Sequence, residues 1–452
     1  MHGRVSHRLL SVTIVLSALG FHAGCARGDD WPQWLGPLRD GIWRESRILE
    51  RFPSSGPRIR WRTPIGAGYS GPVVAEGRVY LTDRPTTRDK GTPLGPVDRA
   101  AVPGVERVLC LDEADGRVLW QHEYDRPYNI AYPSGPRACP LVAGGKVYTL
   151  GAEGDLRCLD TASGRLVWSV RFREDYGVQT QTWGVAAHPL LDGERLICLV
   201  GGQEHTVVAF DRNSGREVWR ALRAKEPGYA APVIYEAGGS RQLIVWDTEN
   251  LNSLDPATGR LHWSEPFPTK MGHAIGMPRK DGSRLFITSF FDGSMLMELE
   301  PDVPAAHVRW RIKGRNENQP EGLHGLISTP FLEEGYIYGV CGYGQLRCLK
   351  ADTGERLWET LAATTPDGKP ARWATAFIVK HNRRFFLWNE LGDLIIARLS
   401  PAGYEEISRA HLLEPTNSAG GRSVHWSHPA FANRSVYVRN DREILCVDLS
   451  AP

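Results

Sequence analysis

The chain consists of short stretches in which apolar and polar residues alternate, joined by turns that contain glycine. One stretch recurs with fixed internal spacing as LCLDEADGRVLW, RCLDTASGRLVW, VAFDRNSGREVW, NSLDPATGRLHW and RCLKADTGERLW. Such alternation predicts a half-buried β-strand, and the acid and glycine that follow predict a tight turn into a second strand. The pattern therefore favours a series of antiparallel hairpins, and no long amphipathic helical pattern stands out.

The hairpins form a long internal repeat. The turn position recurs at intervals of 44 to 51 residues, at Asp112, Asp160, Asp211, Asp255, Asp302, Lys350, Arg398 and Asp448. Another hairpin precedes the turn in most repeats, for example at 140–151 and 330–342. Four short strands in a repeat of this length make one propeller blade. The sequence thus predicts an all-β fold, an eight-bladed β-propeller of four-stranded antiparallel blades, over residues 58–450.

The two ends of the repeat region are complementary. The eighth copy, at 444–449, has almost no chain after it, and residues 58–64 resemble an outermost strand that no third strand precedes. We expect this N-terminal strand to complete the last blade and close the ring, because closure removes the exposed edge that an open sheet would leave.

Each repeat places a tryptophan eight residues after the turn acid. A large flat indole there offers the neighbouring blade a packing surface, which predicts a structural docking role rather than ligand binding. The predicted docking residues are Trp61, Trp120, Trp168, Trp219, Trp263, Trp310 and Trp358. In the seventh repeat Ile407 replaces the tryptophan.

The N-terminus has the pattern of an export signal. Residues 1–8 carry Arg4 and Arg8 without an acid, 9–19 are an uninterrupted apolar run, and small residues follow at 23–26. This predicts a signal peptide over 1–25, followed by an N-terminal segment over 26–57. Cys25 ends an Ala-Gly-Cys segment that resembles a bacterial lipobox, but His22 stands where that motif has an apolar residue. Lipidation of Cys25 and ordinary cleavage nearby both stay open, and either predicts an exported protein in the periplasm or at the outer membrane.

Composition narrows the function classes further. The chain has 54 Lys and Arg against 52 Asp and Glu, and loss of Arg4 and Arg8 with the leader leaves 52 of each. This balance argues against a broadly basic nucleic-acid binder. Apart from Cys25 there are seven cysteines, with no CxxC motif and no adjacent pair, so neither a disulfide framework nor a thiolate metal site is predicted.

The repeated D-x-x-[ST]-G-x-x-x-W, clearest from Asp160 to Trp168 and from Asp255 to Trp263, resembles the tryptophan-docking repeat of the quinoprotein-type, or PQQ-like, propeller family. That family includes PQQ-dependent alcohol dehydrogenases and the outer-membrane assembly lipoprotein BamB. The resemblance covers roughly residues 58–450 and implies the propeller fold. It does not choose between the functions, because one propeller scaffold hosts many.

The connections on one face of the predicted ring are long and varied, which is where binding sites usually lie on a rigid scaffold. The residues just ahead of the innermost strands should converge there, around the mouth of the central channel. They are Tyr69, Arg137, Trp183, Tyr229, His273, His324, Trp373, His425 and Trp426. Such a ring could hold a planar or anionic ligand or grip a partner peptide, and the alternative is that it only packs a solvent-filled funnel.

The leading hypothesis is a non-catalytic exported scaffold, BamB-like in architecture, that binds proteins or envelope components. The alternatives are a PQQ-dependent oxidoreductase and a small-ligand-binding propeller. The resemblance implies that an oxidoreductase would hold calcium and a catalytic Asp, and commonly an adjacent cysteine pair; no Cys-Cys occurs, and no matching ligand set can be placed. No cofactor or metal is therefore predicted, with PQQ and calcium kept as the alternative. We expect a monomer with envelope or outer-membrane proteins as partners, no nucleic acid, and membrane contact only through a lipid on Cys25.

Overall fold

Residues 29–85, 96–365 and 367–452 are described by a computed structural model of the chain, and they form eight four-stranded antiparallel sheets arranged as the blades of a propeller. This confirms the predicted fold class. The predicted leader, with Cys25, lies outside the described residues, as do residues 86–95 of a long connection.

The strands are numbered along the chain, and each blade is given from the axis outward. Blade 8 takes its outermost strand from the N-terminus, β1 (Ile59–Pro64). Blade 1 consists of β2 (Val73–Ala75), β3 (Arg78–Asp83), β5 (Val105–Asp112) and β6 (Val118–Asp125), and its long connections pair as a ribbon of β4 (Ala100–Val102) with β7 (Tyr128–Ile130). Blade 2 consists of β8 (Leu141–Ala143), β9 (Lys146–Leu150), β10 (Asp155–Asp160) and β11 (Leu166–Arg171). Blade 3 consists of β12 (Leu190–Asp192), β13 (Arg195–Leu199), β14 (Val207–Asp211) and β15 (Glu217–Ala221).

The remaining blades follow the same order. Blade 4 consists of β16 (Val233–Ala237), β17 (Ser240–Trp246), β18 (Asn250–Leu254) and β19 (Leu261–Pro266). Blade 5 consists of β20 (Arg279–Asp281), β21 (Arg284–Ser289), β22 (Gly293–Leu299) and β23 (Ala306–Ile312). Blade 6 consists of β24 (Phe331–Glu333), β25 (Tyr336–Val340), β26 (Leu346–Lys350) and β27 (Arg356–Thr360). Blade 7 consists of β28 (Ala376–His381), β29 (Arg384–Asn389), β30 (Asp393–Ser400) and β31 (Gly403–His411). A second ribbon, β32 (Asn417–Ala419) with β33 (Arg422–Val424), precedes blade 8, whose other strands are β34 (Ala430–Ala432), β35 (Ser435–Arg439) and β36 (Glu443–Asp448).

Helical structure is sparse. Within the described ranges the helical elements are one short helix, α1 (Phe172–Tyr176), and a 3-10 turn at Lys270–Gly272. No helix among these residues is long and apolar enough to cross a membrane.

The N-terminal strand closes the ring as predicted. β1 pairs antiparallel with β36, with Trp61 opposite Cys446 and Pro64 opposite Glu443. The first and last parts of the propeller are therefore joined in one sheet, and β1 covers the outer edge of β36, which would otherwise be unpaired.

The turn motif explains why acid and glycine recur. Asp160 Oδ1 accepts hydrogen bonds from the Ser163 amide at 2.8 Å and from its hydroxyl at 2.6 Å. Gly164 has a φ of +70°, and a Cβ there would lie 2.5 Å from the ring of Trp120. The glycine is thus required twice, once by its left-handed backbone and once by the indole that covers it.

The blade tryptophans rest on these turns. Six of the seven predicted docking residues, Trp61, Trp120, Trp168, Trp219, Trp310 and Trp358, donate their indole N–H to a backbone carbonyl in the following blade, at 2.8–3.3 Å. Trp263 differs, because it donates to Gln242 Oε1 within its own blade at 2.9 Å. The turn of the following blade, at 300–305, contains no glycine, so it lacks the surface without a side chain on which the other indoles pack.

The N-terminal segment forms an axial plug, a role that the sequence did not indicate. Residues 29–50 run across the inner ends of the blades and hydrogen-bond to seven of them, through Val74, Val142, Pro189, Pro232, Arg279, Lys380 and Arg434. Arg39 is buried at its centre and donates to the carbonyls of Pro189 and Pro232 at 2.8 and 3.2 Å. The plug therefore closes the channel and makes the opposite mouth a blind funnel.

Candidate functional site

A cavity of about 370 Å³ lies on the propeller axis, where the connections into the innermost strands converge on the long-loop face. Its size is that of a small-molecule or side-chain binding site. It is lined by Trp34, Tyr69, Pro96, Val97, Tyr132, Arg137, Trp183, Ala186, His188, Tyr229, Ala231, Met271, His273, Ile275, Phe291, Leu326, Ile327, Arg372, Trp373, Phe377, Trp426 and His428.

Most of the residues that the sequence places at the channel mouth do meet there. Seven of the nine line the cavity, namely Tyr69, Arg137, Trp183, Tyr229, His273, Trp373 and Trp426. His324 and His425 do not, because both are buried behind the wall. His324 donates through Nδ1 to Phe290 O at 2.8 Å, and His425 hydrogen-bonds through Nε2 to the carbonyl of Arg439.

The deepest part of the cavity, which we call the floor, consists of three rings that the sequence argument missed. Trp34 comes from the plug and stacks on His188, with centroids 4.3 Å apart and planes 12° apart. His428 lies 5.6 Å from Trp34 and 5.9 Å from His188. The two histidines directly precede the prolines that open their innermost strands, whereas the sequence argument chose residues further upstream.

The floor histidines are neutral at neutral pH. Burial, with smaller contributions from His428 and Arg39, holds the pKa of His188 well below its usual range. Burial lowers the pKa of His428 to about 3. The amide of Cys139 donates to His188 Nδ1 at 2.9 Å, so the proton of His188 sits on Nε2.

Arg137 braces the wall of the cavity. Its guanidinium donates to the carbonyls of Trp183 at 2.8 Å, Ala131 at 2.9 Å and Tyr132 at 2.7 Å, and also to Gly135. Each of its three nitrogens is used in this way. The guanidinium therefore ties two loops together, the one at 131–135 and the one that contains Trp183, rather than presenting the free fork for an anionic ligand that the sequence suggested.

One wall is a continuous aromatic surface. The Trp183 indole donates to Pro96 O at 2.8 Å, and its ring lies 5.0 Å from His273. His273 stacks in turn on Phe291 at 5.1 Å and 20°. Burial lowers the pKa of His273 to about 4, so this imidazole also stays uncharged at neutral pH.

The opposite wall is held by buried polar groups behind it. The Trp426 indole donates to Glu390 Oε2 at 2.9 Å, and Glu390 is fully buried in an ion pair with Arg422. Arg372 lies 5.0 Å from the Trp373 ring and is paired with Glu317 at 2.9 Å. The positive charge of Arg372 at the mouth is therefore neutralised by Glu317, which does not line the cavity.

Three lining residues have left-handed backbone conformations that bulky side chains rarely adopt. The φ angles are +51° at Tyr132, +58° at Met271 and +68° at Trp373. Such strain persists only where the surroundings impose it, and it concentrates at functional sites. The rim of the cavity is therefore built at a cost in stability.

The lining offers poor ligands for calcium. No Asp or Glu lines the cavity among the described residues, and no group of His, Cys, Asp and Glu in the described ranges could hold a metal ion. Calcium takes six to eight oxygen ligands, mostly from carboxylates and carbonyls. The side chains present here do not fit a calcium-bound quinone.

Comparison with known proteins points to one family. The family model described as outer membrane protein assembly factor BamB matches residues 104–290 and 203–451. No curated protein matches the chain.

Three similar solved structures share the propeller fold. BamB from Moraxella catarrhalis is 17% identical with a TM-score of 0.50, over 79% of this chain and 95% of that one. The quinohemoprotein alcohol dehydrogenase from Comamonas testosteroni is 12% identical with a TM-score of 0.57, over 95% and 82%. A europium-containing methanol dehydrogenase is 14% identical with a TM-score of 0.61, over 91% and 89%. At these identities the likeness establishes the fold alone.

Proposed function

For a chain that belongs to the family described as outer membrane protein assembly factor BamB, we propose a non-catalytic role, as an exported propeller that binds envelope proteins through its long-loop face. The observation that carries this proposal is the chemistry of the cavity. It is walled by indole, phenol, imidazole and aliphatic groups, and no carboxylate lines it among the described residues. Such a lining binds apolar and aromatic groups well and supplies little for catalysis.

The titratable groups support binding over catalysis. A general acid or base works best when its pKa lies near the working pH. His273 and His428 have pKa values lowered by burial to about 4 and about 3, and His188 is held neutral by the same cause. Arg137 spends its donors on loop carbonyls. The PQQ-dependent alternative gains no specific support from these residues, because no carboxylate for its calcium lines the cavity among the described residues.

The rim supports contact with a protein surface. Val97 and Met271 line the mouth and are 44% and 46% exposed, so apolar surface borders the aromatic cavity. The left-handed φ of Met271 holds that side chain at the rim against its backbone preference. Exposed apolar side chains beside an aromatic cavity fit a partner protein that binds as an extended segment and inserts one apolar or aromatic side chain into the cavity.

Site-specific photocrosslinking tests the proposal. Benzoyl-phenylalanine replaces Val97 or Met271 in the exported protein, and the control is Val303, an equally exposed apolar residue in a turn on the opposite face, at 53% exposure. We expect crosslinks to the same envelope protein from both rim positions and not from Val303. No rim crosslink, or the same products from all three positions, would refute a binding role for this face.

Association state follows from the same picture. The ring is closed by β1, and the chain needs no second copy to complete a sheet. We therefore propose that the protein is a monomer that meets its partners through loops. Light scattering of the purified mature chain should give the mass of one copy.

A further inference from the structure

One methionine at the mouth of the cavity differs from the other sulfur-bearing side chains of the described residues. Of the five methionines in the chain, all but Met1 lie in the described ranges. Met277, Met295 and Met297 are buried, with exposures of 1%, 0% and 1%, whereas Met271 is 46% exposed. The seven cysteines of these ranges are buried as well. Met271 therefore presents the accessible sulfur of the described chain.

The cysteines, which oxidants often attack first, are protected here. Burial raises the pKa of each described thiol above the value of a free cysteine. The pKa reaches about 11 for Cys110, Cys158 and Cys348. The thiolate is the reactive form, and it is scarce at neutral pH when the pKa is this high. An oxidant in solution therefore meets the thioether of Met271 before these thiols.

The turn that carries Met271 is anchored to its neighbours in the fold. The amide of Lys270 donates to Asp292 Oδ2 at 2.7 Å, and the amide of Thr269 donates to the carbonyl of Thr248 at 2.8 Å. The amide of Ala274 donates to the carbonyl of Gly272, also at 2.8 Å. These hydrogen bonds on both sides of Met271 keep its side chain at the mouth, where it lines the cavity.

Oxidation would change what the mouth offers to a partner protein. Methionine sulfoxide is polar, whereas the methionine side chain is apolar and flexible. The sulfoxide oxygen accepts hydrogen bonds, but the indole N–H groups of Trp183 and Trp426 are already bonded to Pro96 and Glu390. The oxygen would therefore be hydrated, and an apolar partner side chain that docks beside it would have to displace this water at a cost.

We propose that Met271 is an oxidation site, and that its conversion to the sulfoxide weakens binding of a partner at the cavity mouth. With hypochlorous acid as the oxidant, the sulfur gains an S–O bond, the O–Cl bond breaks, and chloride and a proton leave. The sulfur loses two electrons and the chlorine gains them. Methionine sulfoxide reductase reverses the change with a dithiol as the reductant, which becomes a disulfide as water is released. The effect on binding rests on the proposed function, whereas the site of oxidation does not.

The first experiment locates the oxidation in the folded mature chain. Hypochlorous acid is added in small portions, and peptide mass spectrometry measures the sulfoxide at each methionine. We expect Met271 to be oxidised at least about tenfold faster than Met277, Met295 and Met297, because a buried thioether reacts only through rare openings of the fold. Equal rates at Met271 and a buried methionine, or oxidation of the cysteines before Met271, would overturn the assignment of the site.

The second experiment measures the consequence for binding, with benzoyl-phenylalanine in place of Val97 on the same rim. We expect the yield of the crosslink to the envelope partner to fall at least about fivefold after oxidation, as desolvation of one added polar group would cause. Treatment with methionine sulfoxide reductase should restore the yield.

Two variants with the same crosslinker locate the effect, and each is compared with itself before and after the oxidant. Met271→Leu cannot form a sulfoxide, so its yield should not fall. Met277→Leu is the matched control, because it replaces a buried methionine that does not line the cavity. Its yield should fall as in the parent protein. A fall in Met271→Leu as large as in the parent would mean that oxidation elsewhere causes the loss, and would refute the proposal.

The outcomes separate this inference from the proposed function. Complete oxidation of Met271 with an unchanged crosslink would leave the proposed function standing and overturn the effect of oxidation on binding. Absence of a rim crosslink before any oxidant is added would refute the proposed function and, with it, that effect. Mass spectrometry would still decide in that case whether Met271 is the oxidation site.

Discussion

Asp155 should make the protein more stable in mild acid, against the usual behaviour of a paired carboxylate. The residue begins β10, is 2% exposed, and accepts a hydrogen bond from Arg126 through Oδ1. Its second oxygen, Oδ2, has no partner and no access to solvent. Burial and the nearby carboxylate of Glu106 outweigh Arg126 and raise the pKa of Asp155 from 3.8 to about 6.

The magnitude follows from that shift. Each pKa unit corresponds to about 1.36 kcal/mol, so the group accounts for up to about 3 kcal/mol. Because the folded-state pKa is raised, folding favours the protonated form. The contribution to the free energy of unfolding is therefore fully present below about pH 4 and is lost as the pH rises through about 6.

The assay compares the wild type with Asp155→Asn in urea unfolding between pH 4 and 7.5. Other titrating groups largely cancel in the difference between the two proteins. We expect the wild type to gain up to about 3 kcal/mol relative to the variant on acidification. A flat difference, or a loss for the wild type, would show that the Arg126 ion pair dominates and would refute the reasoning.

Three further predictions address the ring, the rim and the leader. Deleting residues 58–64 should lower the free energy of unfolding by at least about 3 kcal/mol, which is the effect of removing one buried tryptophan side chain. A deletion variant that melts at the same temperature as the wild type would contradict closure of the ring by β1. Met271→Gly should keep or raise the melting temperature. A bulky residue in the left-handed conformation costs about 1–2 kcal/mol of stability, whereas glycine costs about 0.5–1 kcal/mol through its greater freedom in the unfolded chain. Crosslinking at the rim should fall in this variant, and a drop of several degrees in melting temperature would mean that the turn is not strained. Mass spectrometry of the envelope protein should find the leader removed, either through residue 25 by ordinary cleavage or up to residue 24 with a lipidated Cys25 as the new N-terminus. Fatty-acid labelling that Cys25→Ala abolishes would identify the second route, and recovery of the uncleaved chain in the cytosol would refute export.

The fold could be predicted from sequence because its information is local and repeated. A turn such as Asp160 to Gly164 hydrogen-bonds mostly to itself. The tryptophan that follows such a turn packs on the turn of the next copy of the same motif. Counting the copies was then enough to see that the strand at 58–64 completes blade 8. Trp263 was predicted to dock like the other tryptophans, but its indole donates to Gln242 in its own blade, next to a turn that lacks glycine.

The site was only partly predictable, for two physical reasons. Position ahead of an innermost strand brings a residue near the axis, but the backbone angles of the loop decide whether its side chain faces the cavity, and His324 and His425 face inward to carbonyls instead. Trp34 was missed because the plug has no periodicity. The plug hydrogen-bonds to residues that lie far away in sequence, for example from Arg39 to Pro189. No local sequence pattern encodes such contacts.

The plug also bears on how one fold supports different chemistries. The propeller is shared with structures of BamB and of alcohol dehydrogenases, so the blades cannot decide the function. In this chain the axial funnel is lined by loop residues and by Trp34 of the plug. Here those parts contribute indoles and neutral imidazoles, with Arg39 buried below them. Conversion to a calcium site would need several new carboxylates from separate blades, and each would have to leave water for a position beside aromatic rings. Many simultaneous substitutions would therefore separate the proposed binding role from a calcium-dependent one.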